Sequence, residues 1–265
     1  MNSDVTEVRE ELKALTKKVS ESTEMLSAQA LSNSLYGLQS MSSNSEEVRQ
    51  LLQVLTLKAL ESKEVFSAQN VGNSLYGLQN MNSAHKEVRN LLKALRSKIS
   101  ESSSQLSSQN IANALYGMKS MSTQDKELLE LLAVLTPRIE QSEGILNSQE
   151  VGNALYGLQN MHSHFPEVRA LLAVLTERVY ACTEKLDAQE IGNALYGLKQ
   201  MSGEHQEVRD LFVALTVKIE ESDGKFNAQV VGNSLYALQG MTSDNHEVYA
   251  FISAIYNHHV HIGNL

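Results

Sequence analysis

The alternation of apolar and polar positions along this chain predicts helices that come in pairs. In residues 66–106, Val71, Leu75 and Leu78 recur at helical spacing and predict the buried stripe of a first helix, helix A. A short polar stretch follows, and then a second apolar face predicts a helix B. The residues of that second face are Val88, Leu91, Leu92, Leu95 and Ile99.

This pattern returns every 40 residues along the whole chain without slippage. Six tyrosines mark its copies: Tyr36, Tyr76, Tyr116, Tyr156, Tyr196 and Tyr236. A fixed period of this length is typical of stacked supersecondary units, none of which can bury its apolar face alone. The amino end, residues 4–19, aligns with helix B and predicts a lone helix before the first full copy.

We therefore predict an all-α fold, an α-solenoid superhelix of 40-residue helix-turn-helix repeats with thirteen helices. The predicted single domain spans 1–265, with a half repeat at 1–26 and full repeats at 27–66, 67–106, 107–146, 147–186, 187–226 and 227–265. By analogy with other two-helix solenoids, we expect a right-handed course with the A helices on the concave side.

Polar residues mark the predicted helix starts. Ser67 is a predicted N-cap of helix A, and Asn147 with Glu150 and Asp187 with Glu190 form predicted capping boxes. Helix B has corresponding predicted boxes, which are Asp4 with Glu7, Asn44 with Glu47 and Asp244 with Glu247.

Two positions in each A helix hold glycine or another small residue, with Ser32, Ala112 and Ala237 as the substitutes, and the glycines work against helix formation. Gly192 and Gly197 each cost about 1 kcal/mol relative to alanine in a helix interior. On a helical wheel they flank the buried stripe, where the A helices of neighbouring repeats lie. We expect such small residues to let backbones approach closely, with Gly152 and Gly192 at the closest approach.

Composition narrows the class of protein. The chain has 265 residues, 31 acidic against 22 basic side chains and a net charge of -9, which argues against a broad nucleic-acid surface. The single cysteine, Cys182, excludes an internal disulfide and favours an intracellular protein. We interpret it as a small apolar filler. No apolar run is long enough for a membrane span, and the acidic start lacks a signal or transit pattern, so we expect a soluble chain.

The face of helix A opposite the core is the candidate binding surface. It shows Gln, Asn, Tyr and one variable residue at i, i+4, i+7 and i+11. One interpretation stacks a base on Tyr and binds its edge through Asn or the variable residue. The other is an Asn ladder that joins repeats, with Tyr packed beside it. The candidate residues are Asn33, Tyr36, Ser40, Asn73, Tyr76, Asn80, Asn113, Tyr116, Ser120, Asn153, Tyr156, Asn160, Asn193, Tyr196, Gln200, Asn233 and Tyr236.

Two rows of basic residues follow the helix B period. The row near the helix end supplies candidate phosphate contacts. It consists of Lys18, Lys58, Lys98, Arg138, Arg178 and Lys218. The row near the helix start, which includes Arg89 and Arg209, lies opposite a row of glutamates, so we expect pairs between repeats worth under about 1 kcal/mol each.

The remaining motifs predict no catalysis, no cofactor and no metal site. No phosphate-cradling glycine loop, carboxylate pair or nucleophile–base pattern stands out. We interpret His258, His259 and His261 as an exposed tail. The last helix, "EVYAFISAIYNHHVHI", is richer in apolar and aromatic residues than the other B helices, and it is a predicted docking surface.

Both helices resemble a known repeat. "FSAQNVGNSLYGL" resembles the first helix of the octotricopeptide repeat, with Tyr where that family has Trp, and "FPEVRALLAVLTERV" (165–179) resembles the second. The resemblance covers essentially the whole chain. It implies a helical-repeat protein that binds single-stranded RNA at about one base per repeat, in a chloroplast or mitochondrion. The alternative function is a scaffold that holds a protein or peptide in its concave groove, or a structural subunit of a larger assembly.

Overall fold

The structure of the protein is a computed structural model that describes residues 3, 5–223, 226–242 and 245–260. Over these residues it contains thirteen α-helices, one 3-10 turn and no strand, which confirms the predicted all-α helical repeat. The A helices are α2 (Ala28–Tyr36), α4 (Ala68–Tyr76), α6 (Ser108–Gly117), α8 (Ser148–Tyr156), α10 (Ala188–Gly197) and α12 (Ala228–Ala237). The B helices are α1 (Thr6–Glu21), α3 (Glu46–Glu61), α5 (Lys86–Glu101), α7 (Lys126–Glu140), α9 (Pro166–Ala181), α11 (Gln206–Glu221) and α13 (His246–Val260).

The chain divides into two compact units, Met1–Ser142 and Glu143–Leu265. In the first unit, α2, α4 and α6 pack in one row and α1, α3, α5 and α7 in another. In the second unit, α8, α10 and α12 form the A row, and α9, α11 and α13 form the B row. Each unit therefore has two helical layers. The right-handed course and the concave A layer stay predictions.

The predicted apolar stripes form the core. Val71, Leu75 and Leu78 are fully buried, and so are the five apolar positions of α5. Helix A is shorter than predicted, because α4 ends at Tyr76 and Leu78 lies in the turn that follows. The second small position, which is glycine in the first five copies and Ala237 in the last, therefore lies at the end of the helix, where the cost of glycine in helix propensity is smaller than in the interior.

The caps of helix A are confirmed. The side chains of Asn147 and Asp187 accept from the backbone N–H groups of Glu150 and Glu190, and both reciprocal bonds of each capping box are present. The boxes of α4 and α6 have asparagine at N3, for example Asn70, which the Glu/Gln pattern does not cover.

The caps predicted for helix B differ from the structure. The N-cap of α3 is Ser45, with no side-chain cap bond, so the Asn44 box is wrong. The Ser45 hydroxyl instead donates to the Glu47 carboxylate at 2.7 Å, and this bond lowers the pKa of Glu47. Asp4 and Asp244 lie outside the described residues.

The closest approach between A helices falls at the second glycine. A Cβ on Gly197 would overlap the carbonyl oxygen of Leu155 in the preceding A helix. Gly152 is also tight, since its Cβ would lie 3.1 Å from Cα of Glu190. The prediction for Gly192 is wrong, because a Cβ there would meet its nearest neighbours, in Val230 and Asn233, at an ordinary 3.5 Å.

Candidate functional site

The tyrosines of the A helices stack on one another. In the first unit, the ring centroids of Tyr36 and Tyr76 are 5.6 Å apart and those of Tyr76 and Tyr116 are 5.8 Å apart, each pair at 22°. In the second unit, Tyr156 and Tyr196 are 5.7 Å apart at 23°. These distances are typical of offset stacking. A base that stacked on an inner ring would have to separate a pair of tyrosines, so this geometry supports packing as the first role of the row.

The last pair breaks this regularity. Tyr196 and Tyr236 are 6.2 Å apart at 72°, edge to face, and Tyr236 is 50% exposed. The ring of Tyr236 is therefore more accessible than the stacked rings of the same unit.

Two lysines accompany the tyrosine row. The Nζ atom of Lys119 lies 4.2 Å from the ring centroid of Tyr116 and donates to its hydroxyl at 3.0 Å. Lys199 lies 4.1 Å from the ring centroid of Tyr196. Each lysine follows its tyrosine by three residues and lies in the turn after the helix, a signal that the sequence interpretation missed. The lysines bring positive charge to the candidate surface.

Two of the variable positions bond to the preceding repeat. Asn80 Nδ2 donates to the carbonyl of Gln39 at 2.8 Å, and Ser120 Oγ donates to the carbonyl of Gln79 at 2.7 Å. Ser40 and Gln200 are exposed, and Asn160 is half-buried. The bonds of Asn80 and Ser120 support the ladder interpretation at these two positions.

The constant asparagines lie at the helix surface. Asn33 is exposed, whereas the others are half-buried: Asn73, Asn113, Asn153, Asn193 and Asn233. Asn233 Nδ2 donates to the carbonyl of Gly192 at 2.8 Å, which joins α12 to α10. The structure thus places the predicted stripe along one surface of each unit, partly engaged in contacts between repeats.

The basic row near the end of helix B is largely buried. Lys58 and Lys218 are 7% and 5% exposed. Their Nζ atoms donate at 2.7 Å to the carbonyls of Ser22 and Cys182, one repeat earlier. Lys98 bonds the carbonyl of Ser62 in the same way.

The two arginines of this row behave alike. Arg138 donates to the carbonyls of Ser102 and Ser104, and Arg178 donates to that of Gly144 at 3.0 Å. The candidate phosphate contacts Lys58, Lys98, Arg138, Arg178 and Lys218 therefore hold consecutive repeats together. A phosphate oxygen would have to displace a backbone carbonyl at each of them, which argues against that role.

The second basic row pairs with glutamates of the next repeat, as expected. Arg89 Nε lies 3.9 Å from Glu127, and Arg209 Nε lies 3.8 Å from Glu247. Arg89 also donates to the carbonyl of Ser83 at 2.7 Å. These contacts order the loop before helix B as well as the contact between repeats.

The surface of α12 and α13 carries exposed apolar side chains, which we call the terminal face. Leu235 is 65% exposed, Ile252 45% and Tyr256 63%. The shallow groove between them has about 190 Å³ and is lined by Val231, Ser234, Leu235, Leu238, Phe251, Ile252, Ile255 and Tyr256. One repeat earlier, the positions of Leu235 and Ile252 are Leu195 and Phe212, which are fully buried. Helices α12 and α13 pack on the helices that carry those two residues.

The other candidate groups have structural surroundings. Cys182 is buried as expected, and burial raises the pKa of its thiol. His258 stacks on Phe226 at 4.8 Å, whereas the side chain of His259 and all of His261 lie outside the described residues. Within the described part of the chain, no three His, Cys, Asp or Glu residues are grouped to hold a metal ion. No described helix has the length and apolar character of a membrane span.

Fold and surface together define a helical-repeat protein with two helical layers and an aromatic, amide-rich A surface. The family model of the RNA-editing substrate-binding complex 6 protein (RESC6) matches residues 6–209. The chain therefore belongs to this family. The match ends within α11, so the terminal face lies beyond it. No curated protein matches the sequence. The octotricopeptide resemblance stays a prediction.

Proposed function

We propose that this chain is a helical-repeat subunit of an RNA-editing substrate-binding complex, and that it acts there as a scaffold without catalysis or a cofactor. Membership of the RNA-editing substrate-binding complex 6 protein family supports the assignment to such a complex. The observation that carries the scaffold role is the terminal face, which exposes apolar positions that are buried one repeat earlier.

The terminal face has the character of a protein-docking surface. Complete burial of an exposed Leu or Ile side chain is favourable by up to about 1.5–3 kcal/mol of transfer free energy. Contiguous exposed apolar patches on soluble proteins commonly mark such contacts. The neighbouring interface within the unit, where α12 covers the corresponding face of α10, supports a helix as the occupant of the terminal face. We therefore propose a helical segment of another subunit as the partner.

The test is co-purification of other complex subunits with the tagged full chain. Ile252→Glu places a charge in the centre of the terminal face, so we expect at least a tenfold loss of co-purified subunits. Tyr180→Glu is the matched control, because Tyr180 is a similarly exposed residue of helix α9, at 45%. Circular dichroism shows whether both variants fold. Equal association of wild type and Ile252→Glu contradicts the proposal.

A second candidate function is binding of single-stranded RNA along the A surface at about one base per repeat, as in octotricopeptide proteins. Lys119 and Lys199 favour it, because they place ammonium groups beside the tyrosine row. Tyr156→Ala then weakens binding by about 1–3 kcal/mol if a base stacks there. Asn160→Ser changes base preference at one position.

The measurement is a titration of labelled random single-stranded RNA at low salt, repeated at rising salt to detect phosphate contacts. A lack of binding at micromolar protein removes the RNA candidate and leaves the scaffold proposal standing. The organellar location implied by the resemblance belongs to our proposal. Imaging of the tagged natural protein in cells tests it.

A further inference from the structure

We infer that a cleft between α10 and α12 is a binding site for a single nucleobase of single-stranded RNA. This inference rests on the second candidate function above, the binding of single-stranded RNA. It differs in placing base recognition at one site instead of in every repeat. The cleft, which we call the amide cleft, has about 220 Å³ and is lined by Ala188, Gln189, Gly192, Asn193, Asn227, Gln229, Val230 and Asn233.

The amide cleft has a cause in the sequence. In the two tight interfaces, the third residue of the following A helix packs against the first glycine, as Asn110 does at Gly72 and Glu190 at Gly152. At the last interface this residue is Val230. A Cβ on Gly192 would lie 3.9 Å from Cα of Val230, against 3.1 Å for the corresponding pair Gly152 and Glu190. The last two A helices therefore stand further apart at this point.

The lining offers free amide groups. Asn227 Oδ1 accepts from the backbone N–H of Val230, and Asn233 Nδ2 donates to the carbonyl of Gly192. The amides of Gln189, Asn193 and Gln229 make no hydrogen bond to any described residue. Each of them has a donor and an acceptor side by side. A nucleobase edge presents the same arrangement, which is why Asn and Gln recognise bases in pairs of hydrogen bonds.

The charge and the size of the amide cleft restrict the class of ligand further. None of the lining residues is charged, so the cleft offers no opposite charge to an ionic group. Its volume of about 220 Å³ corresponds to roughly seven water molecules at about 30 Å³ each. That is below the range of roughly 300–1,000 Å³ for drug-sized ligands. A single planar base is a neutral polar ligand of suitable size.

An accessible aromatic ring lies on the same pair of helices. Tyr196 and Tyr236 follow Asn193 and Asn233 by three residues, which places each ring on the face of its asparagine. This is the pair that is edge to face, with Tyr236 half exposed. The rings do not line the cleft, but Tyr236 lies one helical turn from Asn233 and offers an exposed ring to a nucleotide neighbouring the bound base.

The experiment uses the full chain and labelled single-stranded rA6, rC6, rG6 and rU6, with affinities from fluorescence anisotropy at low salt. We expect one of the four to bind best. Asn193→Ala should weaken this binding about tenfold. Asn153→Ala is the matched control, since it is the same position one repeat earlier, at a closed interface, and it should change affinity less than about twofold.

Two further arms separate the cleft from other modes of binding. Val230→Asn gives α12 the third residue of α4 and α6, and we expect it to close the cleft and weaken binding as Asn193→Ala does. Free nucleosides should compete with the RNA, whereas inorganic phosphate should not. Thermal melting confirms that each variant is folded.

Several outcomes overturn the inference. Equal losses in Asn153→Ala and Asn193→Ala show contact along the whole A surface, which keeps the RNA candidate and rejects the cleft. Competition by phosphate alone shows backbone binding. A wild-type chain that binds none of the four RNAs rejects the RNA candidate together with the cleft, while the docking test at Ile252 remains separate.

Discussion

The interface between α8 and α10 and the interface between α10 and α12 are built from nearly the same sequence, yet they differ in closeness. At the first interface, Glu190 closes a capping box and packs against Gly152. Tyr156 and Tyr196 stack there. At the second interface, Val230 cannot close a capping box, so the N-cap of α12 makes a single side-chain bond. A Cβ on Gly192 would meet no close neighbour, and Tyr196 and Tyr236 meet edge to face.

In this comparison, a change of one residue at the third helical position accompanies all three differences. A polar side chain there bonds back to the N-cap and fills the groove beside the glycine of the preceding helix. Valine can fill apolar space, but it cannot form the reciprocal bond. The same repeat can therefore serve as a closed structural joint or as an open cleft, depending on this position.

The largest effect is expected where backbones touch. Gly197→Ala would place a methyl group on the carbonyl of Leu155, and that backbone must move. We expect a loss of about 1–3 kcal/mol in the free energy of unfolding, although alanine is the better helix former. Urea unfolding followed by circular dichroism measures it.

Alanine substitutions at three other glycines test whether the stability cost follows the closeness of the interface. Gly152→Ala should cost less, Gly192→Ala should be nearly neutral, and Gly232→Ala should stabilise by up to about 1 kcal/mol, because a Cβ on Gly232 meets no described atom within 4 Å. An equal effect at all four positions would show that interface closeness does not decide the cost.

The next effect lies in the B row. Lys218→Met removes the bond from the buried ammonium to the carbonyl of Cys182 and leaves that acceptor unpaired. We expect a loss of about 1.5–3 kcal/mol, as for hydrogen bonds of charged groups. Unfolding midpoints in urea report it.

Lys18→Met is the matched control for this second prediction. Lys18 is the equivalent position in α1, but its side chain is exposed. Its ammonium group does not bond a backbone carbonyl of the described residues. Its substitution should change stability by less than about 0.5 kcal/mol. A comparable loss in both variants would indicate an effect of net charge.

A smaller effect distinguishes the two caps. Asp187→Ala removes a reciprocal capping box, and we expect a loss of about 1 kcal/mol. Asn227→Ala removes a single cap bond in α12, so its loss should be smaller. Thermal melts of both variants test the order, and the reverse order would contradict the role given to the third position.

Periodicity predicted the helices and their buried faces well, because both depend on local spacing. The 40-residue frame gave thirteen helices and the burial of Leu75 and Leu78. It placed the second glycine inside the helix, since hydrogen bonding at the helix end is not visible in the apolar pattern.

The roles of the candidate site residues are harder to predict, because each role depends on contacts with residues about 40 positions away in the sequence. A lysine row looks the same in sequence whether it faces phosphate or, like Lys58, a buried carbonyl of the preceding repeat. The tyrosines were recognised as a row, but whether they stack on each other depends on the distance between helices. The sequence has Val230 where α4, α6, α8 and α10 have Asn or Glu, yet the effect of this valine on the distance between helices needs the packed structure.

The smallest expected effect concerns pH and the loops after α8 and α10. Burial lowers the pKa of His162, whereas the same position one repeat later is Ser202, which does not titrate. The folded state therefore takes up the His162 proton less readily than the unfolded state does. Its contribution is present above the ordinary histidine pKa of about 6.5 and is lost as pH falls below that value. His162→Ser should flatten the fall in unfolding midpoint between about pH 7 and pH 5. An unchanged slope in His162→Ser would show that carboxylates govern acid stability instead.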